Sequence, residues 1–403
     1  MAQIAEPTPL AQPFSPWRGT AAALSANFVG IGLARFGYTP LIPALIAAGW
    51  FAPSAAVYLG AANLAGYLAG ALLARAIAAR VGVAATLRLA MLLTAASLFA
   101  CAFPLGFGWF FFWRFVSGGT GGILMALAAP SVMPHIAPGR RGLAGGAIFT
   151  GVGLGIAASG TVVPLLIGWG LPETWFGLGT IALVLTAFAW RGWPQSEPAI
   201  GETPPARPAA SAAALRALYV EYALNAVGLV PHMVFLVDFI ARGLGRGLHA
   251  ASLYWVLFGA GALVGPLVGG YVGDRIGFRV TLRLAYIMQM LCIGLPFVTV
   301  SPAGLALSSF VVGAFVPGIV AIMIGRTREL LPGDPAAQTA AWGLCTTAFA
   351  IGQAIAGYGF SYVFSRSAGG YSVLFLLGGA ALLLALLIDL AFSPRRRMSG
   401  AGV

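Results

Sequence analysis

Lysine is absent from the 403 residues, so all 22 basic side chains are arginine. That excludes a nucleotide-binding P-loop, whose lysine has to reach the terminal phosphates, and with it ATP-driven transport by this chain alone. Charge of any sign is scarce, at 8% of residues against about 25% in a soluble domain. So few polar groups cannot cover the surface of a chain that is 60% hydrophobic, and its solvent must be lipid. Only three cysteines occur, Cys101, Cys292 and Cys345, all within apolar runs and none in CxxC spacing. They supply neither a disulfide framework nor a zinc site. HExxH, GxSxG and paired catalytic carboxylates are missing too, so no enzyme, metal or cofactor is expected.

What the chain does have is long apolar runs. Stretches of 18 or more residues predict twelve helices near 18–39, 54–74, 86–106, 109–132, 142–168, 174–192, 216–240, 250–272, 281–300, 303–325, 339–364 and 371–392. The one long polar interruption, RGWPQSEPAIGETPPARPAASAAALR, is rich in Pro and Ala and reads as a linker. The expected organisation is a tail over 1–17, a six-helix bundle over 18–192, a linker over 193–215, a second bundle over 216–392 and a tail over 393–403. The first 17 residues lack a basic stretch before a short apolar one, so the first run reads as a retained span.

A net charge of +12 invites a nucleic-acid partner, but the arginines are scattered between apolar runs. With the N-terminus cytoplasmic, all but Arg35, Arg114, Arg242, Arg246 and Arg366 fall in cytoplasmic segments. That is the positive-inside bias, and it predicts both termini in the cytoplasm.

The halves repeat each other. RVGVAATLR at 80–88 aligns with RIGFRVTLR at 275–283 at a shift of 195. The same shift pairs Gly66 with Gly261, Gly70 with Gly265 and Gly118 with Gly313. Internal symmetry between six-span halves is the trace of a duplicated transporter with its site between the halves.

GYVGDRIGFR, between the predicted eighth and ninth helices, resembles the loop signature of the major facilitator superfamily at Gly270, Asp274, Arg275, Gly277 and Arg279. The resemblance implies a cytoplasmic gate in which the acid at a helix end pairs with arginines and with a neighbouring helix N-terminus. The first-half loop keeps Arg80 and Gly82 but has Ala79 where the acid belongs. RFVSGGTG at 114–121 is similar to a second signature of the superfamily, which puts Arg114 in a coupling or substrate network. The alternative is an arginine snorkelling outward beside Trp109 and Trp113. IGLARFGYTPLIPAL at 31–45 and AANLAGYLAGALLA at 61–74 resemble the YbfB/YjiJ branch. What the resemblance implies is an all-α membrane protein of two pseudo-symmetric bundles, a secondary transporter of unassigned cargo.

The predicted seventh helix carries a polar stripe: Glu221, Asn225 and His232 fall within about 40° at 100° per residue, with Gly228 beside them. Such a stripe should face protein or water rather than lipid, which makes it a cavity lining with protonatable groups. The plainer readings are an acid paired with Arg216 and a histidine in an interhelical hydrogen bond. Asn27, Asn63, Tyr67, Gln289 and Gln353 are further polar residues inside spans, and each alone is ordinarily helix glue. Asn27 and Arg35 lie about 80° apart on the first helix, loosely sharing a face. Arg35 is expected in the outer third of that helix, below the helix-ending Pro40 and Pro43. GxGxG at Gly151, Gly153 and Gly155 sits in an apolar run and reads as close helix packing.

These observations predict a monomeric transporter in a bacterial inner membrane, moving a small organic solute by alternating access with proton coupling. Arg35 and Arg114 favour an organic anion, bound by Arg35, with His232 and Glu221 coupling the proton. Proton-driven export of amphipathic compounds is the second expectation, and a sensor or scaffold without flux the third.

Overall fold

The computed structural model describes residues 14–137, 140–194, 212–367 and 370–392. Most of the expected linker, residues 1–13 of the expected N-terminal tail and the whole expected C-terminal tail lie outside the described residues. Twelve helices are long and apolar enough to cross a membrane. The first six are α1 (Pro16–Ala47), α2 (Pro53–Val81), α3 (Val83–Ala100), α4 (Phe107–His135), α5 (Arg141–Ile167) and α6 (Leu171–Ala189). The second six are α7 (Ala212–Gly243), α8 (Gly247–Ile276), α9 (Phe278–Val298), α10 (Pro302–Leu330), α11 (Pro335–Arg366) and α12 (Tyr371–Phe392). No strand occurs among the described residues.

Several helices outrun the apolar stretches that predict them, because arginine stems extend a helix beyond the hydrocarbon while their heads reach water. α2 thus runs on to Val81 and α8 to Ile276. Both stop at a glycine with positive φ, Gly82 at 83° and Gly277 at 86°, the two positions related by the 195-residue shift. A residue with a Cβ is strained in that region.

The repeat is written into helix packing as well. Within the first half α2 packs on α4, and within the second α8 packs on α10. A Cβ at Gly66 would overlap the Phe115 carbonyl oxygen, and one at Gly261 the Phe310 carbonyl oxygen. Gly70 meets Gly119 and Gly265 meets Ala314 in the same way, as do Gly118 with Asn63 and Gly313 with Phe258. Small residues let these backbones touch, and contact of this kind replaces the hydrophobic effect as the force between helices in lipid.

The halves meet along α5 against α8 and α2 against α11, and at the end away from the chain termini along α1 against α7. Gly153 serves such a contact, since a Cβ on it would strike α8 at Ala262, whereas Gly155 packs within the first half, against α1 at Gly32. Large apolar side chains such as Leu165, Trp169, Phe188, Leu267 and Val298 are exposed on the outside. That surface suits lipid, and the protein is a multi-pass membrane protein.

Two helices deviate from regular α geometry. α1 widens into a π stretch over Phe28–Phe36 and then resumes as α-helix through Pro40 and Pro43 to Ala47. The expectation that these prolines end the helix is therefore wrong; buried neighbours hold the chain helical despite the lost N–H donors. α7 opens into π turns at Pro231–Phe235 and Phe239–Gly243. π turns of this sort gather at functional sites, and these flank the meeting point of the halves.

Candidate functional site

The deviation in α1 places two arginines side by side. Arg114, from α4, is 2% exposed, and its guanidinium donates to the Ala34 carbonyl in the π stretch of α1. The same guanidinium lies 4.2 Å from the Tyr38 ring centre, and Tyr38 is held by its hydroxyl donating to the Ala56 carbonyl at 2.8 Å. Arg114 is thus enclosed rather than snorkelling. Arg35 faces the interior too, 5.0 Å from the Tyr67 ring centre, and its Nη2 donates to Gln353 Oε1 at 2.5 Å. Asn63, from α2, donates to the Arg114 carbonyl and to Ser117 Oγ at 3.3 and 3.0 Å.

Arg35, Arg114, Asn63, Tyr38, Thr39 and Met233 line a cavity of about 20 Å³. In this closed arrangement little more than water fits. Its remaining walls are apolar, and no carboxylate of a described residue lines it. Two guanidiniums thus share one small space with no described carboxylate in its wall. The void is shut at the end away from the termini by contacts between the halves. Arg35 reaches Gln353 on α11, and the Thr39 hydroxyl donates to the Met233 carbonyl on α7 at 2.7 Å. Phe36 packs against the stacked rings of Trp255 and Phe258 of α8, at 5.9 and 6.4 Å between ring centres.

The other residues singled out in the sequence lie elsewhere. Asn27 donates to the Ile148 carbonyl on α5 at 3.1 Å and serves packing inside the first half. The polar stripe of α7 does not line the void. It faces the interior of the second half, where Asn225 Nδ2 donates to Gln289 Oε1 on α9 at 2.8 Å. His232 Nε2 pairs with Ser308 Oγ on α10 at 2.7 Å, and Ser308 in turn donates to the Cys292 carbonyl at 2.6 Å. With the serine hydrogen used, Nε2 carries the proton and His232 is a neutral donor in an interhelical bond. Phe375 of α12 stands edge-on to its ring at 5.2 Å. Glu221 is 2% exposed, far from an interfacial acid, and no ion pair joins it to Arg216 or to another described residue. The stripe turns inward because polar groups in hydrocarbon seek partners, and α9, α10 and α12 supply them.

The loop motif forms, with a different acid in the decisive place. Glu329, at the end of α10, accepts from the backbone N–H groups of Phe278 and Arg279 at 2.7 and 3.1 Å. It also pairs with Arg326 at 3.0 Å. Glu329 therefore caps the N-terminus of α9, where a negative charge is favoured. Asp274 is exposed and enters no ion pair with a described residue, so the expected capping by Asp274 is corrected. Arg275 covers the Tyr271 ring at 4.8 Å, Arg80 is exposed, and Gly270 has open space around it.

Four groups escaped the sequence reading. Thr39 and Tyr38 lie within the quoted stretch at 31–45, but a hydroxyl on a helix gives no sign of a partner 194 residues away. Asp238 is buried, accepts from the Tyr371 hydroxyl at 2.5 Å and pairs with Arg242 at 3.3 Å. Asp389 is buried and paired with Arg283. Acids inside apolar runs are themselves the signal, and both qualified.

The profile of the family described as "Uncharacterised MFS-type transporter YbfB" matches residues 27–390. No curated protein matches the chain. Among solved structures, one of a D-xylose-proton symporter aligns with a TM-score of 0.70 at 17% identity, over 94% of this chain and 97% of that one. A structure of the proton:xylose symporter XylE bound to 6-bromo-6-deoxy-D-glucose aligns with a TM-score of 0.68 at 15% identity, over 94% and 96%. At such identities the likeness shows a shared fold. The chain is a transporter of the major facilitator superfamily and belongs to its YbfB family.

Proposed function

We propose that this transporter moves a small organic anion across the bacterial inner membrane, with both termini cytoplasmic, by alternating access and together with protons. The carrying observation is the pair of guanidiniums, Arg35 and Arg114, in one void without a lining carboxylate. A carboxylate between them would accept charge-assisted hydrogen bonds of the bidentate kind that arginine favours. Tyr38, Phe36 and Ile42 offer apolar walls to the rest of a small acid. The Gln353 carboxamide oxygen, which accepts from Arg35, stands where that carboxylate oxygen would bind, as a neutral stand-in bridging the halves. Uptake of an anion works against a potential that is negative inside, at about 2.3 kcal/mol per charge per 100 mV, and a co-transported proton cancels that cost.

The test is a thermal-shift screen of the purified protein in detergent against organic acids, amines and sugars, since a ligand of the folded state raises its apparent stability by mass action. An organic acid should stabilise wild type and fail to stabilise Arg35→Ala. Stabilisation by a neutral sugar or an amine, with no acid among the hits, defeats the reading.

A further inference from the structure

Proton coupling, as proposed above, requires a group that gains and loses a proton with the conformational cycle, and the arginine void contains no such carboxyl. The candidate lies inside the second half. Glu221 and Asn225 sit one turn apart on the same face of α7, at a spacing that makes side chains neighbours. Tyr286 on α9 brings its hydroxyl near the Glu221 carboxyl. Exposure is 2% for Glu221 and 0% for both Asn225 and Tyr286. Glu221 Oε2, Asn225 Oδ1 and the Tyr286 hydroxyl all lack a hydrogen-bond partner.

The orientation of the asparagine is determined by its neighbours. Gln289 Nε2 donates to the Ala285 carbonyl at 3.2 Å, so Gln289 presents its oxygen to Asn225. Asn225 must donate to it through Nδ2, which leaves Oδ1 an unsatisfied acceptor beside an acid. An ionised Glu221 would add further acceptors and no donor. One proton changes the count: the carboxyl O–H donates to Asn225 Oδ1 while the tyrosine O–H donates to the other carboxyl oxygen. All three orphaned groups are then satisfied.

The charges around the site agree. Arg283 of α9 is committed to Asp389 of α12, and Arg326 of α10 to Glu329. Cys345 of α11 and Tyr222 of α7 are the remaining titratable neighbours. Asp389 and Glu329 thus have basic partners, whereas the buried Glu221 enters no ion pair with a described residue.

We propose that Glu221, Asn225 and Tyr286 form an enclosed proton-binding site within the second half, separate from the void that holds Arg35 and Arg114. The closed surroundings are what coupling needs, because the proton can exchange only when the helices move. The link to the anion is α7 itself. Twelve residues further along it, about 18 Å at 1.5 Å per residue, the Met233 carbonyl receives Thr39 and the Met233 side chain lines the void.

The experiment is infrared difference spectroscopy of the purified protein through a pH titration without substrate, so it succeeds or fails apart from the anion reading. Wild type should show the C=O stretch of a protonated carboxylic acid that bleaches as pH rises. E221Q should remove it, D389N should leave it, and Y286F and N225A should move its frequency and midpoint. If E221Q fails to fold, the shifts in Y286F and N225A decide the assignment. A band that survives E221Q, that Y286F and N225A leave unmoved, or that sodium chloride bleaches at constant pH overturns the proposal.

Discussion

The guanidinium of Arg35 donates to the carboxamide oxygen of Gln353 across the boundary between halves, at 2.5 Å. A neutral acceptor there holds the closed end without fully satisfying the arginine, whose Nε has no partner. Replacing it with a carboxylate should turn a releasable contact into an enclosed ion pair. Q353E is therefore expected to raise the unfolding temperature of the empty protein by a few degrees and to suppress uptake at least tenfold. Q353A should lower the unfolding temperature and keep transport. Wild-type uptake by Q353E would show that this contact does not need to open.

The two arginines differ in what their loss should do. Arg35 is tied across the halves, whereas Arg114 supports the π stretch of α1 through Ala34 and Tyr38. A hydrogen bond to a charged group contributes about 1.5–3 kcal/mol, or roughly 10- to 150-fold in affinity. Arg35→Ala should weaken anion binding by that factor with little loss of stability, while Arg114→Ala should lose binding and stability together. Calorimetric titration with the anion found by screening, beside thermal unfolding, separates the two.

His232 illustrates a residue whose chemistry suggests more than its surroundings permit. The proton on Nε2 is spent on Ser308, and the ring is buried against Phe375. H232Q should cost about 1 kcal/mol of stability, the worth of one buried hydrogen bond, and leave the pH profile of transport unchanged. A shifted profile in H232Q with a wild-type profile in E221Q would reverse the assignment of the coupling group.

At the loop between α8 and α9, Glu329 and Asp274 should separate as clearly. E329A removes the acceptor of two backbone N–H groups and a partner of Arg326, and should destabilise by about 1–2 kcal/mol. D274A should leave stability within about 0.5 kcal/mol. Thermal unfolding of both variants checks this.

The parts of the fold legible in the sequence were those carried by local composition. Apolar runs marked twelve spans, and repeated glycines marked the packing of α2 on α4 and of α8 on α10. Arg35, Arg114 and Asn63 were recognisable as polar groups in apolar runs, and they do converge. The direction in which the α7 stripe faces was not readable, because periodicity shows that residues share a face without saying what lies opposite. Nor was the role of Glu329, which rests on backbone donors some 50 residues away. The site residues also escape the repeat: at the 195-residue shift Arg35 corresponds to Val230, Asn63 to Phe258 and Arg114 to Ser309. Duplication preserves helix packing, and the void is where the halves have diverged.

That division yields a last expectation. If the paired glycines are duplicated packing contacts, equivalent substitutions in the two halves should have equivalent effects. G66A and G261A each press a Cβ into a carbonyl oxygen of the partner helix, Phe115 in one half and Phe310 in the other. The helices must separate, at a cost of about 1–3 kcal/mol for overpacking of this kind. Gly270 belongs to the loop motif but has open space around its Cα, and its φ is not in the left-handed region. G270A should therefore be neutral in unfolding measurements, or slightly stabilising through helix propensity. A large loss in G270A, or a loss in one half without its counterpart, would mean that the repeat survives for a reason other than packing.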